Sequence, residues 1–128
     1  MTKPLIPRVL AAFGLLIAVA GCSGGGAAAS VSAPTEADLT IAAQNSKFDP
    51  TALTLPAGQP AEVFFKNLDG LPHNVAIYTD ASASNKLFVG EIITNAATLY
   101  HVPALTAGQY FFRCDVHPEM VGSVTVGG

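Results

Sequence analysis

The chain has 128 residues, of which 50% are hydrophobic and 12% charged, with a formal net charge of −3. That length leaves room for one domain. An acidic balance without a basic cluster excludes nucleic acid and polybasic membrane contacts as partner classes, and is compatible with a cationic partner.

Lys3 and Arg8 precede an apolar run from Val9 to Ala20, and Val19-Ala20-Gly21-Cys22 closes it with small residues before a cysteine. This is the layout of a secretory signal over residues 1–21. The run is shorter than the roughly 20 residues a membrane-spanning helix needs. The tetrad resembles a bacterial lipobox. That resemblance implies cleavage before Cys22 and a diacylglyceryl group on its thiol, so Cys22 is expected to be a lipid anchor and not a disulfide partner. Loss of Lys3 and Arg8 would leave 4 basic residues against 9 acidic ones, a net charge of −5. Residues 22–37 are rich in Gly, Ala and Ser, too small and polar to bury a core, and read as a flexible tether.

From Asp38 the pattern changes to short runs of period-two alternation, punctuated by Pro, Gly, Asn and Asp. Strands are predicted over 38–43, 51–55, 60–67, 73–79, 86–93, 97–102, 108–114 and 121–126. Leu39 with Ile41, Leu53 with Leu55, Val63 with Phe65 and Val124 with Val126 each share one face, which is assigned to the core. Pro50, Pro56, Pro60, Pro72, Pro103 and Pro118 fall between the runs, where a missing N–H costs no ladder hydrogen bond. No stretch could hold a long helix. Many short antiparallel strands imply an all-β sandwich over residues 38–128.

The chemistry is concentrated in Cys114-Asp115-Val116-His117-Pro118-Glu119-Met120, which spaces a thiol, an imidazole and a thioether three residues apart along one segment. All are soft or borderline ligands, suited to copper and unsuited to calcium or magnesium, which take oxygen donors. His73, in Leu-Pro-His-Asn-Val, supplies a second imidazole. In a His2Cys centre with a distant methionine, the Cys114 thiolate makes the short covalent bond and gives intense colour. His73 and His117 complete a near-planar triad, and Met120 is a weak axial donor that favours the reduced state.

These residues resemble the type 1 blue copper proteins, the cupredoxins, over about residues 38–126. The pattern is most similar to that of amicyanins, which share the Cys, two residues, His, Pro, one residue, Met spacing and a Pro-His-Asn-Val context like Pro72-His73-Asn74-Val75. The resemblance implies one Cu(I)/Cu(II) ion held by His73, Cys114, His117 and Met120, with Asn74 pinning the ligand loops together. It also implies an eight-stranded Greek-key β-sandwich with the metal at one end, and an apolar surface around His117 drawn from Leu71, Pro72, Pro118 and Val121.

The remaining groups read blandly. His101 belongs to no matching motif, Asp115 and Glu119 read as solvated loop carboxylates, and Tyr110-Phe111-Phe112 as core filler. Cys114 with His117 could suggest a thiol hydrolase, but so short a segment brings both groups to one metal more naturally than to one substrate. The dinuclear copper domain of an oxidase needs two cysteines here, and copper nitrite reductases and multicopper oxidases need more histidine than 3 residues supply, so the chain is not expected to be an enzyme. The expectation is an exported, periplasmic or otherwise extracytoplasmic monomer, held at a bacterial membrane through Cys22. It would carry single electrons between redox protein partners; the alternative is a copper-binding lipoprotein for storage, delivery or sensing.

Overall fold

The computed structural model describes residues 37–128. The expected signal, the anchor Cys22 and all of the tether but Ala37 lie outside the described residues.

Among these residues there are nine strands and no helix: β1 (Leu39–Gln44), β2 (Lys47–Asp49), β3 (Ala52–Leu55), β4 (Ala61–Asn67), β5 (Ala76–Tyr78), β6 (Lys86–Val89), β7 (Ala96–Val102), β8 (Gly108–Arg113) and β9 (Val121–Val126). They form two sheets, β2-β1-β4-β7 and β3-β9-β8-β5-β6, and the chain passes repeatedly from one to the other in the manner of a Greek-key sandwich. Two pairings correct the expectation of a purely antiparallel fold: β1 lies parallel to β4, and β3 parallel to β9. The cause is the crossover. Since β3 leaves for the second sheet, β4 returns beside β1 in the same direction.

The ninth strand is β2, hidden in the sequence because its one apolar residue, Phe48, is flanked by Lys47 and Asp49. A two-residue turn creates it. Asn45 and Ser46 both adopt left-handed backbone, with φ of 53° and 54°, and bring Lys47 opposite Gln44. The strand expected over 73–79 shrinks to Ala76–Tyr78, because His73 is spent on an isolated bridge to Ile93. The strand expected over 86–93 stops at Val89.

The alternation predicted from sequence sets the core. Ile41, Leu53, Leu55, Val63, Phe65, Val124 and Val126 are buried in one cluster, to which Cys114 and Met120 also belong, while Leu39 packs at its margin. Phe48 packs on Phe112 with ring centroids 5.1 Å apart, and Phe65 stacks on Tyr100 at 5.4 Å. Phe112 is buried, whereas Tyr110 and Phe111 are only half-buried. The aromatic run is therefore core in part.

At Gly90, just after β6, the Tyr100 ring occupies the place of the absent side chain. A Cβ there would fall on the ring, so Gly90→Ala is expected to lower stability by about 1–3 kcal/mol, read from the urea midpoint of the metal-free protein. An unchanged midpoint would show that the ring moves freely.

Candidate metal centre

The site is built from two segments at one end of the sandwich. The first follows β4. Asn67, 1% exposed, donates through Nδ2 to the carbonyls of Leu71 and Ile93, each at 2.7 Å, and accepts the Asp69 N–H at Oδ1. His73 exchanges backbone hydrogen bonds with Ile93 at 3.0 Å in both directions. With Pro72 restricting the backbone before it, His73 is held in register and fully buried.

The second segment leaves β8 and returns as β9. The Cys114 N–H donates to the Met120 carbonyl at 3.0 Å and the Met120 N–H to the His117 carbonyl at 2.9 Å, closing the loop on itself. Cys114 is fully buried, Met120 is 2% exposed and His117 is half-buried.

Asn74 joins the two segments. Fully buried, it accepts the Asp115 N–H at Oδ1 (2.8 Å) and donates through Nδ2 to the Gly90 carbonyl (3.0 Å).

The result is a compact donor set. Cys114 Sγ stands 3.7 Å from His73 Nδ1 and 3.9 Å from His117 Nδ1, and the three donor atoms lie within 4.8 Å of one another. A sulfur about 2.3 Å and a nitrogen about 2.0 Å from one ion are separated by about 3.5–3.7 Å at angles between tetrahedral and trigonal. The spacing fits a shared small ion. One thiolate, two imidazoles and a buried thioether on the same loop are a softer set than hard cations accept, and suit copper.

Charged groups around the site depart from the sequence reading. Asp115 is not a solvated loop carboxylate: its side chain is 18% exposed and takes the hydroxyl of buried Tyr78, Lys86 Nζ at 3.4 Å and Arg113 Nε at 3.4 Å. Burial pushes its pKa up, but the Tyr78 hydroxyl and the Lys86 and Arg113 cations outweigh that and hold the carboxyl below its ordinary value. Arg113 and Lys86 also lie over the Tyr78 ring, at 5.0 Å and 5.9 Å from its centroid. No motif announces this cluster, since its members are scattered over β5, β6 and the end of β8. Glu119 is exposed as expected. His101 stands apart from the donor set, 75% exposed, with Nδ1 2.7 Å from the Glu62 carboxylate.

Missed altogether is Asp69, whose Oδ2 lies 3.0 Å from His73 Nε2. Its one signal is a carboxylate four residues before a ligand-type histidine. Of the expected surface, Leu71 is 50% and Val121 43% exposed, Pro118 is exposed and Pro72 half-buried; Val116 adds a further exposed apolar side chain beside His117.

Replacing Asn74 by Ala would strand the Asp115 N–H and the Gly90 carbonyl. The expected loss is about 1–3 kcal/mol for each group that water cannot reach, measured by denaturation of the metal-free protein. A loss below about 0.5 kcal/mol would mean that other partners take over.

A family model described as a cupredoxin-like domain matches residues 10–126. Plastocyanin from Hordeum vulgare is 35% identical over 85 residues, covering 62% of this chain and 54% of the relative. Plastocyanin from Sambucus nigra is 32% identical over 87 residues, covering 62% and 86% respectively. The chain thus spans about half the length of the barley relative, and of the rice one at 54%. Among solved structures, amicyanin from Paracoccus versutus is 30% identical with a TM-score of 0.57, covering 73% of this chain and 84% of its own. Auracyanin from Roseiflexus castenholzii superposes with a TM-score of 0.62 at 22% identity, covering 70% and 96%, a likeness of fold alone.

Proposed function

The chain belongs to the cupredoxin-like family, and from that premise we propose that it is a one-electron carrier, holding one copper ion through His73, Cys114, His117 and Met120. The observation that carries this reading is the assembled donor set: three donor atoms, from two segments of the chain, within 4.8 Å of one another. Donors held by the core and by backbone hydrogen bonds need little rearrangement when the charge at their centre changes, which is what fast electron transfer demands.

Copper, when bound, supplies the Cu(I)/Cu(II) couple. The protein supplies everything else. The thiol of Cys114 must be deprotonated to ligate, and its complete burial keeps water from the sulfur. His73 is sealed inside, whereas half-buried His117 is the donor that reaches towards the surface. Electrons would therefore pass by way of the His117 ring. The exposed apolar residues of the two ligand segments and the start of β9, Leu71, Val116 and Val121, suit brief contact with a redox protein.

We place this head outside the cytoplasm, on the evidence of the signal-like segment and the Val19-Ala20-Gly21-Cys22 tetrad. Lipid on Cys22 would then tether it to a membrane. Among the described residues no helix is long and apolar enough to cross a membrane.

The test is the visible and electron paramagnetic resonance spectrum after one equivalent of Cu(II). An intense thiolate-to-copper band with narrow copper hyperfine splitting is expected, together with a reversible potential and fast self-exchange. A colourless product, or Cu(I) lost rapidly to a chelator, would favour copper storage or delivery. Cys114→Ala is expected to abolish the band entirely. Met120→Leu should retain copper and colour but raise the reduction potential, because Cu(II) loses an axial donor; an unchanged potential would remove Met120 from the ligand set.

A further inference from the structure

On the reading that His73 holds copper, we propose that Asp69 is a positioning residue that fixes the tautomer and orientation of His73 and ties its ring to the β1–β2 turn. The Asp69 carboxylate has no proton to give, so in its 3.0 Å contact with His73 Nε2 the nitrogen must be the donor. A neutral imidazole protonated at Nε2 has its lone pair at Nδ1. That is the nitrogen facing Cys114 Sγ at 3.7 Å. Asp69 thus selects the ring form that can ligate, before any ion arrives.

The carboxylate is itself held on every side. Oδ1 accepts the Asn45 N–H at 2.8 Å, and Oδ2 accepts the Ser46 N–H at 2.9 Å as well as the His73 proton. Its backbone is pinned too: the Asp69 N–H donates to buried Asn67 Oδ1 at 2.9 Å and its carbonyl accepts the Asn95 N–H at 3.1 Å. The amides it holds belong to the two left-handed residues of the β1–β2 turn, so one side chain joins a strained turn to a ligand-type histidine.

A negative acceptor behind the imidazole has an electronic consequence. It makes Nδ1 a stronger donor and stabilises Cu(II) over Cu(I). A residue that merely stapled the turn would leave that balance alone.

Two measurements decide the matter. In the metal-free, unaltered protein at mildly alkaline pH, long-range proton–nitrogen correlation is expected to show His73 wholly as the Nε2–H tautomer. The Nδ1–H form or a mixture of the two would overturn the proposal. This result does not depend on copper, so it stands apart from a failure of the blue band in the loaded protein. In the copper-loaded protein, Asp69→Asn is expected to cost about 10–100-fold in Cu(II) affinity and less in Cu(I) affinity, with an upward shift in potential. Equal losses with an unchanged potential would assign Asp69 to the turn alone and overturn it. Should the Asn variant fail to fold, the tautomer of the unaltered protein decides.

Discussion

The hydrogen bond from the Asp115 amide to the Asn74 side chain is the join on which the metal end of this molecule depends. The donors come from segments about forty residues apart in sequence, one following β4 and the other following β8. Pairing of β5 with β8 sets Ala76 opposite Arg113 and so brings His73 and Cys114 to the same end of one sheet, and the Asn74 bond then fixes the loop beyond Cys114. Asn74 has the four-way bonding capacity of an amide and uses it on backbone of both the ligand loop and the end of β6. Because it is fully buried, water cannot substitute for either partner.

Around that join the site is continuous with the hydrophobic core. Cys114 and Met120 pack in the same cluster as Phe112 and Val124, so the interior fixes their positions as it fixes any core side chain. Polar ties take over where the core ends: Asn67 under the first segment, Asp69 behind His73, and Tyr78 against Asp115 one residue beyond Cys114. A centre supported this way resists the adjustments that each oxidation state would otherwise impose.

Most of this was legible in the sequence, but unevenly. The alternation of Leu53 with Leu55 and of Val124 with Val126 reports a face directly, since side chains in a strand alternate strictly. The short Cys-His-Met spacing likewise confines three donors to one loop. What escaped detection was structure created by tertiary contact. β2 exists because Asn45 and Ser46 turn left-handed and a distant carboxylate holds their amides. The cover over Tyr78 unites Lys86, Arg113 and Asp115, which no local pattern connects. Parallel pairing of β1 with β4 depends on where β3 goes, and alternation carries no information about strand direction.

The two imidazoles are treated differently, and the difference gives the site its polarity. His73 is fully buried, bridged through its backbone to Ile93 and backed by an anion at Nε2. His117 sits in the ligand loop, half-buried, with exposed Val116 and Pro118 as its chain neighbours. One ring can therefore be tuned without touching the surface, and the other can meet a partner without loosening the anchor. On the proposed reading, the Asp69 charge would bear on the stability of the oxidised state through the buried ring of His73 and not through the half-buried ring of His117. A carrier that must match a potential and also release its partner quickly gains from keeping these two demands on different residues.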